Sequence, residues 1–325
     1  MDRAAATAAI DRREFLALGS APIVAAALGP AWAAAQGQSR PVQKFRVGHN
    51  IGPYLRLGGP PHEGYWKGVE ELSSLGFKAT EADDNLAKLS TVYATDTTGF
   101  RERLARHAMQ MAALYHSLPV DDAARFDEGV DEGMRVGKFM HDVGIPIFNL
   151  AGGQRKPGGN PPEDFQALAR LVNEVGKRLK NEYGIQLGYH PHTGNMIEKR
   201  AEIGRMMDMT DQRYFNLCPD TGHLVAGGSD ALEVFRTYRS RIIYLHFKDW
   251  DPNMVTARTA ETGRKGGFPE LGEGIVPLPQ LADFLLGIGY DKWVMIEIDS
   301  SRTTPLDSAT KDLKYMTDRL KLKVG

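Results

Sequence analysis

The chain has 325 residues, of which 42% are hydrophobic and 25% are charged, a composition typical of a globular protein with a sizeable core rather than a disordered chain. Its formal net charge is −1, so it lacks the basic excess that a nucleic-acid-binding protein normally carries, and no nucleic-acid partner is expected. Cys218 is the single cysteine, so no disulfide can form within the chain. Stability must therefore come from packing or from a metal.

The N-terminal segment has the pattern of a twin-arginine export signal. Residues 11–16 read Asp-Arg-Arg-Glu-Phe-Leu, and a short apolar run of small residues follows them. This pattern predicts a cleaved signal peptide, a periplasmic location and no stable membrane span in the mature protein. A lone membrane anchor or an unstructured tail is the alternative. The predicted organisation is a signal over residues 1–35, a linker over 36–44 and one folded domain over 45–325.

From residue 45 onward the chain repeats one theme, in which a short apolar run rich in β-branched or aromatic residues is followed by a segment with helical periodicity. Eight such repeats predict a single-domain α/β fold, the (β/α)8 TIM barrel. An open doubly wound sheet is the alternative, but no glycine-rich dinucleotide fingerprint follows the first strand. The predicted strands are 45–49, 77–81, 111–116, 145–150, 185–190, 214–220, 242–246 and 293–298; the predicted helices are 65–75, 100–109, 129–143, 162–183, 196–209, 230–238, 278–286 and 306–320.

Glycines mark several of the predicted boundaries. Gly76, Gly144 and Gly184 each stand between a helix end and a strand start, where a left-handed residue commonly ends a helix. Residues 250–276 are too long and too rich in glycine for a plain connection. We interpret this segment as a functional loop or lid.

Polar residues close most of the predicted strands. In a barrel of this kind the C-terminal ends of the strands surround one shared opening, so these residues are expected to form a site there. Six of the nine histidines stand at such positions. The strand-closing residues are His49, Glu81, His116, Asn149, His190, His192, Asp220, His223, His246, Lys248, Glu297 and Asp299.

Four of these residues, His190, Asp220, His246 and Glu297, come from successive late strands and are expected to converge on one divalent cation. Mixed nitrogen and oxygen ligands suit manganese, zinc, cobalt, iron or magnesium, with open positions for substrate oxygens. Glu297 lies within an apolar run, where a carboxylate must be paired or coordinated. For Asp220, the sequence Pro-Asp-Thr-Gly leaves a turn or a helix cap as the alternative.

Five motifs surround these positions: Gly-Tyr-His-Pro-His-Thr-Gly at 188–194, Cys-Pro-Asp-Thr-Gly-His at 218–223, Leu-His-Phe-Lys-Asp at 245–249, Leu-Gly-Glu-Gly at 271–274 and Ile-Glu-Ile at 296–298. In order and spacing they resemble the xylose isomerase-like TIM-barrel family. That family includes sugar phosphate isomerases and epimerases, ketose 3-epimerases, inosose dehydratases and, more distantly, family 2 AP endonucleases. The likeness runs from about residue 45 to the C terminus and does not name a substrate.

The resemblance implies that Asp220, His246 and Glu297 bind one divalent metal, and that His190 stands where ketose epimerases have their first glutamate. Moving a proton between the two faces of a carbon requires two acid–base groups, and only Glu297 remains of that carboxylate pair. The departure resembles the dehydratase-like branch, in which loss of water follows proton abstraction. Glu81 or His192 is the candidate for a second catalytic acid or base.

The predicted function is a metal-dependent isomerase or epimerase that abstracts a proton next to the carbonyl of a sugar, keto-sugar or cyclitol. The alternative is a dehydratase or lyase acting on a keto-sugar, a 3-keto-glycoside or inosose. Less favoured are an AP endonuclease-like phosphodiesterase and a sugar-binding protein without chemistry; a homo-oligomer is left open. A structural hydrogen-bonding role is the alternative for His49, His116 and His192. The residues expected to bind substrate are His223, Lys248, His116, Asn149 and Trp250.

Overall fold

The computed structural model describes residues 40–256, 263 and 265–324, so the predicted signal peptide lies outside the described residues. Eight strands form one parallel sheet in the order β6-β5-β4-β3-β2-β1-β8-β7. Each predicted strand is confirmed, with ends that differ by a few residues. The strands are β1 (Arg46–Asn50), β2 (Ala79–Asp83), β3 (Gln110–Ser117), β4 (Ile147–Ala151), β5 (Gln186–Tyr189), β6 (Phe215–Leu217), β7 (Tyr244–Phe247) and β8 (Trp293–Ile296).

The sheet closes on itself between β6 and β7 through single bridges rather than a regular ladder. Leu217 pairs with Ile242, and Asp220 pairs with His246, both in the parallel sense. The backbone N–H of His246 also donates to Pro219 O at 2.9 Å. This closure confirms the predicted (β/α)8 barrel and excludes the open doubly wound sheet.

Helices alternate with the strands, as predicted, and several short helices were not apparent from the periodicity. Among the described residues no helix is both long enough and apolar enough to cross a membrane. The helices are α1 (Pro61–Ser74), α2 (Asp84–Ala87), α3 (Leu89–Val92), α4 (Thr97–Arg106), α5 (Phe126–Val143), α6 (Pro162–Arg178), α7 (Arg200–Met209), α8 (Thr221–Ala226), α9 (Ala231–Tyr238), α10 (Leu278–Gly287) and α11 (Pro305–Lys314).

Local hydrogen bonding decides where several helices begin and end. Gly144 follows α5 with φ 90°, and its N–H donates to Met140 O at 2.8 Å, as the predicted left-handed helix end requires. The predicted helix over 196–209 begins only at Arg200. The carboxylate of Glu202 accepts the backbone N–H groups of Glu198 and Lys199, which caps the helix at that point.

The two faces of several strands pack into two different clusters. In β8, Trp293 and Met295 belong to a small cluster built of strand residues, whereas Val294 and Ile296 belong to the large cluster that also contains helix residues. Because side chains alternate along a strand, the small cluster occupies the inside of the barrel. Residues two positions beyond it therefore point into the opening at the strand ends.

Candidate metal centre

Strand alternation places the predicted ligands above the inner cluster. Met295 on β8 and Tyr244 on β7 face inward, so the next inward positions along the chain are Glu297 and His246. The same step of two leads from Cys218 to Asp220. The ligands are thus the first polar layer above a packed apolar interior.

The structure brings together all four residues predicted to bind metal. His190, Asp220, His246 and Glu297 each offer one ligand atom, and these atoms lie within 4.8 Å of one another. His190, Asp220 and His246 are at most 1% exposed, while the side chain of Glu297 is 17% exposed. The cluster is therefore almost fully buried, with one carboxylate at its open side.

Each of the four residues carries a buried polar atom that has no hydrogen-bond partner among the described residues. Buried polar atoms are normally satisfied, so four converging exceptions call for a physical explanation. Two imidazole nitrogens and two carboxylate oxygens form a donor set that fits a divalent cation. The atoms are His190 Nδ1, Asp220 Oδ2, His246 Nδ1 and Glu297 Oε2.

The two oxygens of Asp220 do different things. Oδ1 accepts the backbone N–H of His223 at 2.8 Å and so caps α8. Oδ2 lies 3.5 Å from His246 Nδ1 without a hydrogen bond. The helix cap, which the sequence offers as an alternative to metal binding, instead holds the second oxygen in the cluster.

Glu81 lies behind His246 and is completely buried. Its Oε2 atom is 2.6 Å from His246 Nε2, on the far side of the ring from Nδ1. Asn50 Nδ2 donates to Oε2 at 2.9 Å, and Asn149 Nδ2 donates to Oε1 at 2.8 Å. Glu81, predicted as an acid–base group, therefore contacts His246, and Asn149, predicted to bind substrate, contacts Glu81.

Asn50 is a residue that the sequence interpretation missed. His49 was noted at the end of β1, but its Nε2 atom lies 3.3 Å from Asp312 and away from the cluster. The alternation of side chains along β1 identifies Asn50. A Cβ on Gly48 would meet the side chain of inward-facing Met295, so position 48 faces inward and Asn50 is the next inward residue.

Lys248 lies beside the four ligands and is fully buried. Its Nζ atom is 2.6 Å from Asp299 Oδ1, 3.4 Å from Glu297 Oε1 and 3.8 Å from Asp220 Oδ2. Burial lowers the pKa of Lys248, but Asp299, Glu297 and Asp220 outweigh burial and raise it above the usual value. Lys248 is therefore a fixed cation at the edge of the cluster.

His223 and His192 lie above this lysine, with ring centroids 3.7 Å apart. His223 Nε2 is 3.2 Å from Lys248 Nζ, and His223 Nδ1 is 3.1 Å from Thr193 Oγ1. Because an ammonium can only donate, His223 accepts through Nε2. Burial first, and Lys248 second, lower the pKa of His223 well below the usual range, so it is neutral.

His116, predicted to bind substrate, points away from the cluster. Its ring nitrogens lie 3.2 Å from Asp84 Oδ2 and 2.9 Å from Glu132 Oε1, on the outer side of β3. The inward residue is Tyr115, whose ring centroid is 5.5 Å from that of His190. A step of one along a strand reverses the direction of the side chain.

A cavity of about 640 Å³ lies beside the cluster, bounded by loops that follow β5, β7 and β8. Thr193 and Asp299 line it and also contact His223 and Lys248, which connects the cavity to the cluster. Trp250, predicted to contact substrate, lines the same cavity, with its ring centroid 5.0 Å from that of Phe268. The volume falls in the range of small-molecule sites.

Asp249 fixes the described part of the long loop after β7. This buried carboxylate accepts backbone N–H groups of Trp250, Gly272, Gly274 and Val276 at 2.9–3.0 Å. The motif Leu-Gly-Glu-Gly thus wraps around one carboxylate, and a Cβ on Gly274 would clash with it. Residues 257–262 and 264 of the predicted lid lie outside the described residues.

Neighbouring charges shift the pKa values of His246 and Glu297 in opposite directions. Burial lowers the pKa of His246, but Glu297 and Glu81 raise it well above the usual value. Burial raises the pKa of Glu297, but His246 and Lys248 lower it well below the usual value. The carboxylates favour positive charge at His246 Nδ1, which a metal ion supplies when it replaces a proton there.

The fold is similar to that of several solved structures. It matches a probable 3-DHS dehydratase from Bacillus anthracis with TM-score 0.70 and 15% identity, covering 85% of this chain and 100% of that one. It matches a D-allulose 3-epimerase from Methylomonas sp., in complex with D-allulose, with TM-score 0.67 and 16% identity, covering 86% and 98%. An IOLI protein with a bound zinc atom matches with TM-score 0.69 and 14% identity, covering 85% and 98%.

Curated relatives agree with this likeness. An inosose dehydratase from Lacticaseibacillus casei is 26% identical over 268 residues, which cover 76% of this chain and 87% of that protein. An inosose dehydratase from Bacillus cereus is 26% identical over 271 residues, covering 77% and 88%. The family described as xylose isomerase-like TIM barrel matches residues 69–319. The chain therefore belongs to the xylose isomerase-like TIM barrel family.

Proposed function

We propose that this protein is a metal-dependent carbon–oxygen lyase that removes water from a sugar-like or cyclitol-like ketone. The observation that carries the proposal is the convergence of four buried atoms without hydrogen-bond partners on His190, Asp220, His246 and Glu297. The relatives named inosose dehydratase support the dehydratase reaction. The zinc atom of the IOLI protein supports a metal in this fold.

The side chains at the open side of the cluster fit proton abstraction next to a carbonyl. A divalent cation at the four ligands would polarise the carbonyl oxygen and acidify the neighbouring C–H bond. Glu297 Oε1, at the exposed side of the cluster, takes the proton from carbon. The electron pair forms a double bond as the hydroxyl on the next carbon departs, and the proton leaves with that hydroxyl as water.

Lys248 stabilises the departing oxygen. Its ammonium is 3.4 Å from Glu297 Oε1, so the base and the cation stand on the same side of the centre. Removal of a proton and of a neighbouring hydroxyl from one face of a ring needs this arrangement. Epimerisation instead needs acid–base groups on opposite faces, and the ligand set has an imidazole, His190, where a second glutamate would serve.

An isomerase or epimerase is the second candidate, and one feature favours it. His192 is half-buried, and its ring centroid lies 5.8 Å from that of His190 and 3.7 Å from that of His223. This position beside the cluster supports His192 as the second acid–base group that an epimerase needs besides Glu297. The D-allulose 3-epimerase with the same fold supports this candidate.

Incubation with manganese and keto-sugars, 3-keto-glycosides or inosose in heavy water separates the two candidates. The lyase forms an enone with release of water from a keto-sugar or inosose, or of the glycosidic alcohol from a 3-keto-glycoside. The isomerase or epimerase retains the oxygen and incorporates deuterium at the carbon next to the carbonyl. Formation of the enone by wild type and not by Glu297→Gln would support the lyase, whereas deuterium exchange without an enone would replace it with the second candidate.

We also propose that the chain is exported through the twin-arginine route to the periplasm. The support is the Asp-Arg-Arg-Glu-Phe-Leu sequence at 11–16 and the apolar run after it. Replacing both arginines by lysine is expected to leave the full-length chain in the cytoplasm, as measured by fractionation. Arg200→Lys and Arg239→Lys together serve as the matched control. Equal export of the two double variants would refute the assignment.

A further inference from the structure

Glu81 is a buried carboxylate that faces a metal ligand rather than the substrate side. It is completely buried, and its Oε2 atom lies 2.6 Å from His246 Nε2. Asn50 and Asn149 hold its two oxygens from β1 and β4 at 2.9 and 2.8 Å. Three strands thus fix one carboxylate against one imidazole.

The contact selects one form of the His246 ring. Both oxygens of Glu81 accept amide N–H groups, from Asn50 and Asn149, so Oε2 also accepts from His246 and His246 Nε2 carries the proton. In the neutral ring the lone pair then lies on Nδ1, which contacts Glu297 Oε2 and faces Asp220 Oδ2 without forming a hydrogen bond to a described residue. A carboxylate behind a ligating histidine orients the ring and increases its basicity.

We propose that Glu81 is a positioning residue for metal binding, acting through His246, and that Asn50 and Asn149 hold it in place. This inference rests on the proposed metal-dependent function. It replaces the catalytic acid–base role expected for Glu81 from the sequence. Its consequence is a metal affinity that depends on a residue that does not bind the metal.

The test is zinc affinity of the purified full chain, measured by competition with a chromophoric chelator. Glu81→Gln is expected to weaken zinc binding about 10–100-fold, the usual effect of losing such a partner. Asp312→Asn is the matched control, because Asp312 is a buried carboxylate 3.3 Å from His49 Nε2 and outside the ligand cluster. The control is expected to stay within about twofold of wild type.

A spectroscopic measurement on wild type guards against misfolding of the variants. With histidine labelled by nitrogen-15 and zinc bound, the His246 signals are expected to report a protonated Nε2 and a metal-bound Nδ1. The assignment follows from loss of those signals in His246→Ala. Metal bound to Nε2 would overturn the inference.

The outcomes separate this inference from the proposed function. If wild type fails to bind zinc, manganese or cobalt, the proposed function fails. If wild type binds zinc and folded Glu81→Gln binds it equally well, the metal centre stands and the role of Glu81 is refuted. A selective loss of affinity in Glu81→Gln supports both.

Discussion

The early and late strands of the barrel use their inward polar residues differently. Strands β5 to β8 lead to His190, Asp220, His246 and Glu297, whose atoms converge within 4.8 Å. Strands β1, β2 and β4 supply Asn50, Glu81 and Asn149, which bond to one another behind His246. One half therefore provides the candidate ligands and the other half holds them, so polar residues at strand ends do not have equal roles.

The largest expected effect comes from the late half. Glu297→Gln removes the proposed base and one ligand oxygen, so turnover is expected to fall about 10²–10⁴-fold. Steady-state kinetics with the substrate identified in the panel measures this loss. Glu132→Gln on α5 is the control, because Glu132 lies outside the cluster. Comparable turnover of the two variants would contradict the proposed role of Glu297 as the base.

The next effect concerns Lys248, a buried cation that lies beside the candidate ligands but is not one of them. Lys248→Met is expected to lower kcat about 10²-fold while metal affinity changes little, because Lys248 stabilises the departing oxygen and is not a ligand. Lys138→Met is the control, since Lys138 pairs with Asp142 on the outside of α5. An unchanged kcat in Lys248→Met would contradict the proposal that Lys248 stabilises the departing oxygen.

The third effect belongs to the early half and to stability. His116→Ala leaves Asp84 and Glu132 without their imidazole partner, so the free energy of unfolding is expected to fall by about 1–3 kcal/mol. Metal affinity is expected to stay near that of wild type, because His116 faces away from the cluster. Urea unfolding and chelator competition measure the two quantities. A loss of metal affinity with an unchanged free energy of unfolding would contradict the structural role of His116.

The smallest effect is pH-dependent and concerns Glu270 in the long loop. Burial raises the pKa of Glu270, but Arg302, Lys311 and Ser308 lower it to about 2. A carboxylate with a lower pKa in the folded chain than in the unfolded chain stabilises the fold at pH values above the unfolded pKa of about 4.5. This contribution is lost as the pH falls towards 2. The stability difference between wild type and Glu270→Gln should therefore shrink across this window. A difference constant from pH 6 to pH 2 would contradict the ion-pair role.

The sequence predicted the eight strands because apolar runs alternate with helical periodicity. It also predicted that four residues, each following a late strand, bind a metal, and the structure brings these four residues together. It did not indicate that His116 points away from the cluster or that Asn50 points towards it, because a shift of one residue reverses a side chain and apolar patterning does not fix the last inward position. It also assigned Glu81 to catalysis. The contact between Glu81 and His246 joins residues 165 positions apart, which only the closed barrel brings together.

The central claim is that four side chains share one cation. Cobalt titration of the purified full chain, followed by visible absorption and metal analysis, tests it directly. We predict one ion per chain with a low-symmetry cobalt spectrum, loss of both in His246→Ala, and retention of both in His49→Ala, which removes a buried histidine outside the cluster. Cobalt binding that survives His246→Ala with unchanged affinity and spectrum would contradict the account.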